Sequence, residues 1–308
     1  MKILPEILNS KKKEVKAIKE KYSYKDFESA SLFSQKKRSL TKAITPDKFG
    51  IIAEMKRKSP SSGIINTSFD VIQQGKIYEG SGAVAISCLT DYYFGGNNKD
   101  LILLKSATTI PVLRKEFIID EIQLFESKAI GADAILLIAE ILTKEQALHL
   151  TIMAQSLGME VLMECHSYKE LKKVNKFVDI IGVNNRNLQT QQTSIQTSFD
   201  LYDFIPEQKI CISESGIRSK NELIKLSSKG YKGALIGEHI LANTNPSKTL
   251  ESLQFQPSDV AKLAILIYMA RQISIQRDYL HNLKSLVWYV LGPLLLICAL
   301  ILPNNFST

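Results

Sequence analysis

Residues 131–165 read GADAILLIAEILTKEQALHLTIMAQSLGMEVLMEC, and this stretch decides the fold. Ala134–Ile138 is a short, uninterrupted apolar run, the pattern of a strand buried on both faces. Lys144–Leu157 has the length and composition of a helix, and Gly158 follows it, the residue type that helix C-termini prefer. Glu160–Met163 then starts a second apolar run. Strand, helix, glycine and strand in this order make one β–α–β unit with parallel strands.

Working outward, the same unit recurs. The apolar runs are 50–54, 83–88, 110–113, 134–138, 160–163, 180–183, 209–212 and 233–236, eight in all. Helical stretches at Asp120–Ile130 and Lys220–Gly230 lie between runs, with Gly131 and Gly230 at their ends. Periodicity alone leaves two architectures open, a closed barrel and an open doubly wound sheet. Eight alternations favour the barrel, and no GxGxxG fingerprint supports a dinucleotide fold. Two helical patterns, about 2–20 and 29–42, precede the first run. The expected fold is therefore an α/β protein, a (β/α)8 TIM barrel with extra N-terminal helices and a C-terminal hydrophobic helical tail. The expected domains are a barrel over 1–257 and a tail over 258–308.

Composition narrows the function. The chain has 308 residues, 45% of them hydrophobic, and a net charge of +8. A basic protein suits nucleic acid, a membrane surface or an anionic small molecule. The runs Lys11-Lys12-Lys13 and Lys36-Lys37-Arg38 read as solvated helix faces, and no nucleic-acid motif accompanies them. Cys88, Cys165, Cys211 and Cys298 form no CxxC pair, which reads as reduced thiols in a reducing compartment. The four histidines make no metal-ligand spacing, and His166, two residues after Glu164, reads as structural or exposed. No secretory signal opens the chain.

The ends of the apolar runs carry the chemistry. In a barrel the active site sits at the C-terminal ends of the strands. Here those ends hold Glu54, Lys56 and Ser59, then Arg114-Lys115-Glu116, Glu164, Asn184-Asn185-Arg186, Glu214-Ser215-Gly216 and Gly237-Glu238. Acids and bases converging on one mouth shift each other's pKa and supply an acid and a base together. The plainer alternative is a stabilising ring of ion pairs. Ser215-Gly216 and Gly237-Glu238 follow the last two strands, where many barrels bind phosphate. A carboxylate at Glu238 suits that site only if its backbone N–H faces the ligand.

These residues resemble a known family. Glu54-Met-Lys-Arg-Lys-Ser-Pro-Ser61, Thr90-Asp-Tyr-Tyr-Phe-Gly-Gly96, Pro111-Val-Leu-Arg-Lys-Glu-Phe117, Glu160-Val-Leu-Met-Glu164, Gly182-Val-Asn-Asn-Arg-Asn-Leu188 and Ser213-Glu-Ser-Gly-Ile217 resemble the signatures of indole-3-glycerol-phosphate synthases, in order. The resemblance covers roughly residues 1–255. It implies a carboxy-lyase of tryptophan biosynthesis that needs no cofactor or metal. Such an enzyme closes the ring of 1-(2-carboxyphenylamino)-1-deoxy-D-ribulose 5-phosphate with loss of CO2 and water. By resemblance, Lys115 is the general acid and Glu164 the base of the dehydration. Lys56 holds the substrate carboxylate and assists loss of water, and Glu54 orients the two lysines. Asn184 and Glu214 hold hydroxyls or the lysine network. Ser215, Gly216, Gly237 and the Glu238 backbone take the phosphate, joined by Ser59. Phe94 packs on the anthranilate ring, and Arg186 supports the site. Two departures stand out: Ser62 where the family often has Lys, and Glu238 where it often has Ser. Other phosphate-binding barrels, and a non-catalytic tethered barrel, are the alternatives; the combined Glu-x-Lys, Lys and Glu set speaks against both.

The tail matches nothing in the family. Residues 286–302 run without a charge and contain Trp288, Tyr289 and Gly292-Pro293, with Arg271, Arg277 and Lys284 before them. As a helix this run is about 25 Å long, near the lower limit for a membrane span. The charge asymmetry implies a tail anchor that keeps the barrel on the cytoplasmic side. The sequence implies a phosphorylated small-molecule substrate and no nucleic-acid partner, and leaves the oligomeric state open.

Overall fold

The computed structural model describes residues 3–44, 49–59, 63–64, 69–188 and 190–254, together with Arg271 and Ser274. Residues 1–254 form one compact unit, and 255–308 a second. The uncharged run 286–302 lies outside the described residues. Among the described residues, no helix is long and apolar enough to cross a membrane.

Eight parallel strands close into a barrel, each beside its sequence neighbour, with the last paired to the first. They are β1 (Gly50–Met55), β2 (Ala85–Leu89), β3 (Val112–Lys115), β4 (Ala134–Ile138), β5 (Glu160–Cys165), β6 (Ile180–Asn184), β7 (Ile210–Glu214) and β8 (Gly233–Ile236). Each expected run became a strand. The largest shift is at β3, which both starts and ends two residues late. Pro111 has no N–H to give to a ladder, and only its carbonyl pairs, accepting from the Ile86 amide at 2.9 Å. The shift draws Lys115 into the strand, where the sheet fixes its backbone.

Barrel closure then sets which side chains point inward. Ile52, Ala85, Leu113, Ala134, Leu136, Leu162, Ile180, Ile212 and Leu235 belong to one buried core cluster. Alternation along a strand puts residue i+2 on the same face. Two residues beyond Ile52, Leu113, Leu162 and Ile212 come Glu54, Lys115, Glu164 and Glu214, and four beyond Ile180 comes Asn184. The polar layer at the mouth is thus the next layer of the hydrophobic core.

Helices α4 (Val71–Gly80), α5 (Asn98–Ala107), α6 (Ile122–Ala129), α7 (Lys144–Ser156) and α10 (Lys220–Lys229) lie between strands in the chain. Gly131, Gly158 and Gly230, just beyond three of these, all have positive φ, where a side chain would be strained.

Before β1 the sequence reading needs two corrections. α1 (Ile3–Lys21) is a single long helix as expected, but 29–42 is not one. α2 (Tyr24–Glu28) precedes that stretch, and only α3 (Leu40–Ala43) forms at its end. The residues between run through turns into an irregular segment, Lys36–Ser39, that is held against the barrel. The Arg38 amide donates to Asp133, and Ser39 Oγ and the Thr41 amide donate to Glu160 at 2.6 and 2.7 Å. The Arg38 guanidinium donates to the carbonyls of Ile110 and Lys105. These bonds outweigh a local helical preference.

The basic runs are not simply solvated faces. Lys11 is 3% exposed, and its ammonium lies 2.6 Å from Glu14, 2.9 Å from Asp91 and 2.9 Å from Glu116. Burial alone would depress its pKa, but Glu116 and Asp91 hold it well above the usual lysine value. Lys37 is half-buried, and burial beside Lys128 and Lys105 lowers it to about 8. Lys12, Lys13 and Lys36 are exposed, as expected. One lysine of the first run is therefore the pin that fastens α1 to the loops after β2 and β3.

Replacing Lys11 with alanine would leave Asp91 and Glu116 buried with little counter-charge, since Arg114 reaches Glu116 only at 3.9 Å. A loss of about 3–5 kcal/mol is expected for breaking a buried ion-pair network on one side. Urea denaturation of Lys11→Ala should show an earlier midpoint; an unchanged midpoint would make the pin energetically idle.

Candidate functional site

Lys115, at the end of β3, points into a ring of carboxylates. Its Nζ lies 3.1 Å from Glu214 Oε2, 3.4 Å from Glu164 Oε2 and 3.4 Å from Glu54 Oε2. Those acids come from β7, β5 and β1, so barrel closure itself assembles the cluster. The other oxygen of Glu54 binds Lys56 Nζ at 2.6 Å, and one carboxylate thereby ties the two lysines together. Glu54, Glu164 and Glu214 are all buried.

Burial disfavours each of these charges, so the balance among them decides which survive. Burial would lower the pKa of Lys115, but Glu214, Glu54 and Glu164 hold it well above the ordinary value. Burial likewise opposes ionisation of Glu164, yet Lys115, His166 and Asn184 keep it far below the usual carboxylate range. Lys56 and Lys115 lower Glu54 in the same way. Glu214 is the exception. Burial, reinforced by the charges of Glu164 and Glu54, pushes it up to about 7 despite Lys115. Its Oε1 is buried and has no hydrogen-bond partner among the described residues, which fits a site that often carries a proton. At rest the cluster therefore holds an ammonium and a carboxylate side by side, the acid and base forms that proton-transfer chemistry needs.

Two glycines make room for it. A Cβ at Gly182 would lie 2.0 Å from Glu214 Oε1, and one at Gly237 would lie 2.6 Å from Glu54 Oε1. The expected reason for Gly237 was close approach to phosphate; its immediate neighbour is the Glu54 side chain.

The cluster forms the floor of a cleft of about 880 Å³, counted to its open mouth. Lys56, Phe94, Asn184, Arg186 and Ser215 line it with Glu54, Lys115 and Glu164. Leu4 and Ile7 of α1 form part of the wall, with Phe117, Leu136, Ile138 and Leu188. Phe94 ends a tight turn, Tyr92–Phe94, and its ring stacks on Phe117 at 6.3 Å between centroids. Asp91 caps that turn by accepting from the Tyr93 amide, while its other oxygen binds Lys11. The N-terminal helix thus reaches the apolar wall of the cleft through two residues.

An adjoining cleft joins Ser215, Gly216, Gly237 and Glu238, with Lys56, Arg186, Arg218 and His239. Ser215 and Gly216 both have positive φ. A Cβ at Gly216 would lie 2.3 Å from Thr193. The Glu238 carboxylate is turned to Arg186, 3.5 Å away. Ser59 sits in a two-residue ladder, Lys58–Ser59 against Gly63–Ile64, and its side chain and Ser62 lie outside the described residues. Every other expected site residue lines one of these two clefts or belongs to the carboxylate ring.

Sequence reasoning missed Lys11, Arg218, His239 and His166. Arg218 and His239 adjoin the expected phosphate loops; burial and Arg218 lower the His239 pKa. His166 is neither exposed nor isolated. Its Nε2 lies 3.3 Å from Glu164 Oε1 and its Nδ1 3.1 Å from Glu170 Oε2. The two carboxylates overcome burial and raise it to about 10. Glu140, His166 and Glu170 place ligand atoms within 4.8 Å of one another. Both ring nitrogens of His166 already face carboxylates. The signal was present as Glu-x-His at a strand end, but spacing says nothing of which carboxylates flank the ring.

The chain is similar to known proteins. The model of the family described as indole-3-glycerol phosphate synthase matches residues 4–253. The indole-3-glycerol phosphate synthase of Bacteroides thetaiotaomicron is 40% identical over 251 residues, covering 81% of this chain and 96% of that one. That of Caldanaerobacter subterraneus is 43% identical over 243 residues, covering 78% and 93%. Among solved structures, 3-hexulose-6-phosphate synthase from Salmonella typhimurium superposes with a TM-score of 0.54 at 11% identity, covering 67% of this chain and 96% of that one. That likeness shows the barrel fold alone. With the family model spanning the barrel and relatives near 40% identity, the chain belongs to the indole-3-glycerol phosphate synthase family.

Proposed function

We propose that this barrel closes the indole ring of 1-(2-carboxyphenylamino)-1-deoxy-D-ribulose 5-phosphate, releasing CO2 and water. The observation that carries the reading is the Lys115 ammonium held 3.1–3.4 Å from Glu54, Glu164 and Glu214. Ring closure needs an acid at the ketone oxygen while the aromatic carbon attacks. Lys115 is loaded for that step, because its neighbours keep it protonated. Glu164, kept as a carboxylate, is loaded as the base that takes the methylene proton during dehydration. Lys56 is placed by Glu54 to meet the substrate carboxylate. Glu54, bound to both lysines, sets their separation. Asn184 orients Glu164, and Glu214 completes the charge around Lys115. Phe94 and its neighbours offer an apolar face to the anthranilate ring. Ser215, Gly216, Gly237 and the Glu238 amide, with Arg186 beside them, form the phosphate end, and Ser59 adjoins the same mouth.

Incubation with the substrate should produce indole fluorescence, and its absence would refute the reading. In Lys115→Ala, turnover should fall by at least about 100-fold, the scale of lost acid catalysis. Glu164→Gln should slow dehydration; unchanged product formation would remove it as the base.

Glu214 makes a separate prediction. Its folded pKa, about 7, lies above the unfolded value near 4.5. Between those values the native state binds more protons than the unfolded one. Its stabilisation is complete below pH 4.5 and is lost as pH rises through 7. Glu214→Gln should therefore lose less stability than the unsubstituted protein between pH 5 and pH 8, measured by urea midpoint. Equal losses would assign the titration elsewhere.

A further inference from the structure

Behind Glu164 lies a second cavity of about 1200 Å³, measured to its open mouth like the first. His166, Glu170, Glu140 and Lys173 line it. Glu164 lines the reaction cleft and not this cavity, while His166 lines this cavity and not the cleft. The 3.3 Å contact between them links the two spaces, which also meet along Asn184, Arg186 and Leu188. It is an ion pair off the line of a good hydrogen bond, since Nε2 has no aligned partner among the described residues.

The ring closure creates a demand that this bridge can meet; the inference rests on that proposed reaction. The carboxylate departs as CO2, leaving its electron pair on the ring carbon. The ketone oxygen departs as water and so takes up two protons. One comes from the substrate methylene through Glu164. The other must come from outside the substrate, so each turnover draws one proton into a buried site.

We propose that His166 is the relay residue that delivers this proton from the second cavity to the Glu164–Lys115 pair. Nε2–H gives its proton to Glu164 Oε1, which leaves the ring neutral with its remaining proton on Nδ1, 3.1 Å from Glu170 at the cavity wall; water entering the second cavity then returns a proton to Nε2. Glu164 passes the proton to Lys115, 3.4 Å off. At rest the transfer is blocked, because the Lys115 charge holds Glu164 ionised. Once Lys115 has given its proton to the ketone oxygen, that field is gone and Glu164 accepts. The groups facing His166 are Glu164 from β5, Glu170 from α8 (Tyr168–Leu171), and Glu140 and Lys173 across the cavity. Their net negative charge keeps the ring protonated between turnovers.

The test compares the full-length protein with His166→Ala and Glu170→Gln, following indole fluorescence with and without added imidazole, in H2O and D2O. His166→Ala should lower kcat about tenfold or more, as expected for a lost proton-transfer group. Imidazole should restore much of it, and the solvent isotope effect should rise. Glu170→Gln should also lower kcat, and it carries the test if the alanine variant does not fold. Turnover of either variant at the level of the unsubstituted protein overturns the relay, as does a loss in His166→Ala that imidazole does not restore. If the unsubstituted protein itself makes no indole product, the ring-closure reading fails instead.

Discussion

Everything at the mouth of this barrel depends on one ammonium shared by three carboxylates. Lys115 meets Glu54, Glu164 and Glu214 from three different strands. Closing the barrel brings the acids together, and without the lysine their repulsion in a buried site would resist closure. The cluster also sets protonation. Three acids facing Lys115, with Lys56 on one of them, leave a surplus of negative charge. Glu214, the most enclosed of the three, absorbs the surplus by holding a proton up to about pH 7. Glu164 is then free to stay ionised. The space for these charges is created by omission, since Gly182 and Gly237 each stand where a Cβ would strike a carboxylate.

The segment Arg114-Lys115-Glu116 shows how one strand end serves three purposes. Lys115 points into the barrel. Arg114 points to the helices, where it binds Ser127, Glu126 and Asn98. Glu116 turns to Lys11 and Thr90. The carboxylate ring and the N-terminal pin are therefore joined by consecutive residues. Movement of α1 against the barrel would pull on Glu116 and Asp91, and through them on Lys115 and the Phe94 turn. The apolar wall that α1 supplies, Leu4 and Ile7, is consequently held in register with Lys115.

Sequence periodicity revealed the strands because both sheet faces are covered, so the runs are apolar apart from their ends and Ser87. The inward face of each strand end was legible for the same reason, by counting in twos from a core residue. Three features were hidden, two of them because a long-range partner decides them. Lys11 looks like any lysine of a basic helix until Asp91 and Glu116 arrive from distant loops. The chain at 29–42 has helical composition, but Asp133 and Glu160 capture Arg38, Ser39 and Thr41 and leave only a short helix at its end. His166 has partners near in sequence, Glu164 and Glu170, but spacing alone does not show that the ring is buried between them.

Glu238 is the residue whose chemistry the geometry most changes. A carboxylate among the loops proposed to bind phosphate would repel that ligand if it faced inward. Here it faces Arg186, which also lines the reaction cleft. In that position the acid restrains a guanidinium that an arriving phosphate would attract. Binding must therefore loosen one contact to form a stronger one, since an arginine binds phosphate through paired hydrogen bonds. Ser at this position would compete with the ligand less. On the proposed function, the departure from the common residue weakens phosphate binding while leaving the Lys115 cluster untouched, because Glu238 and the carboxylates of Glu54, Glu164 and Glu214 face different cations.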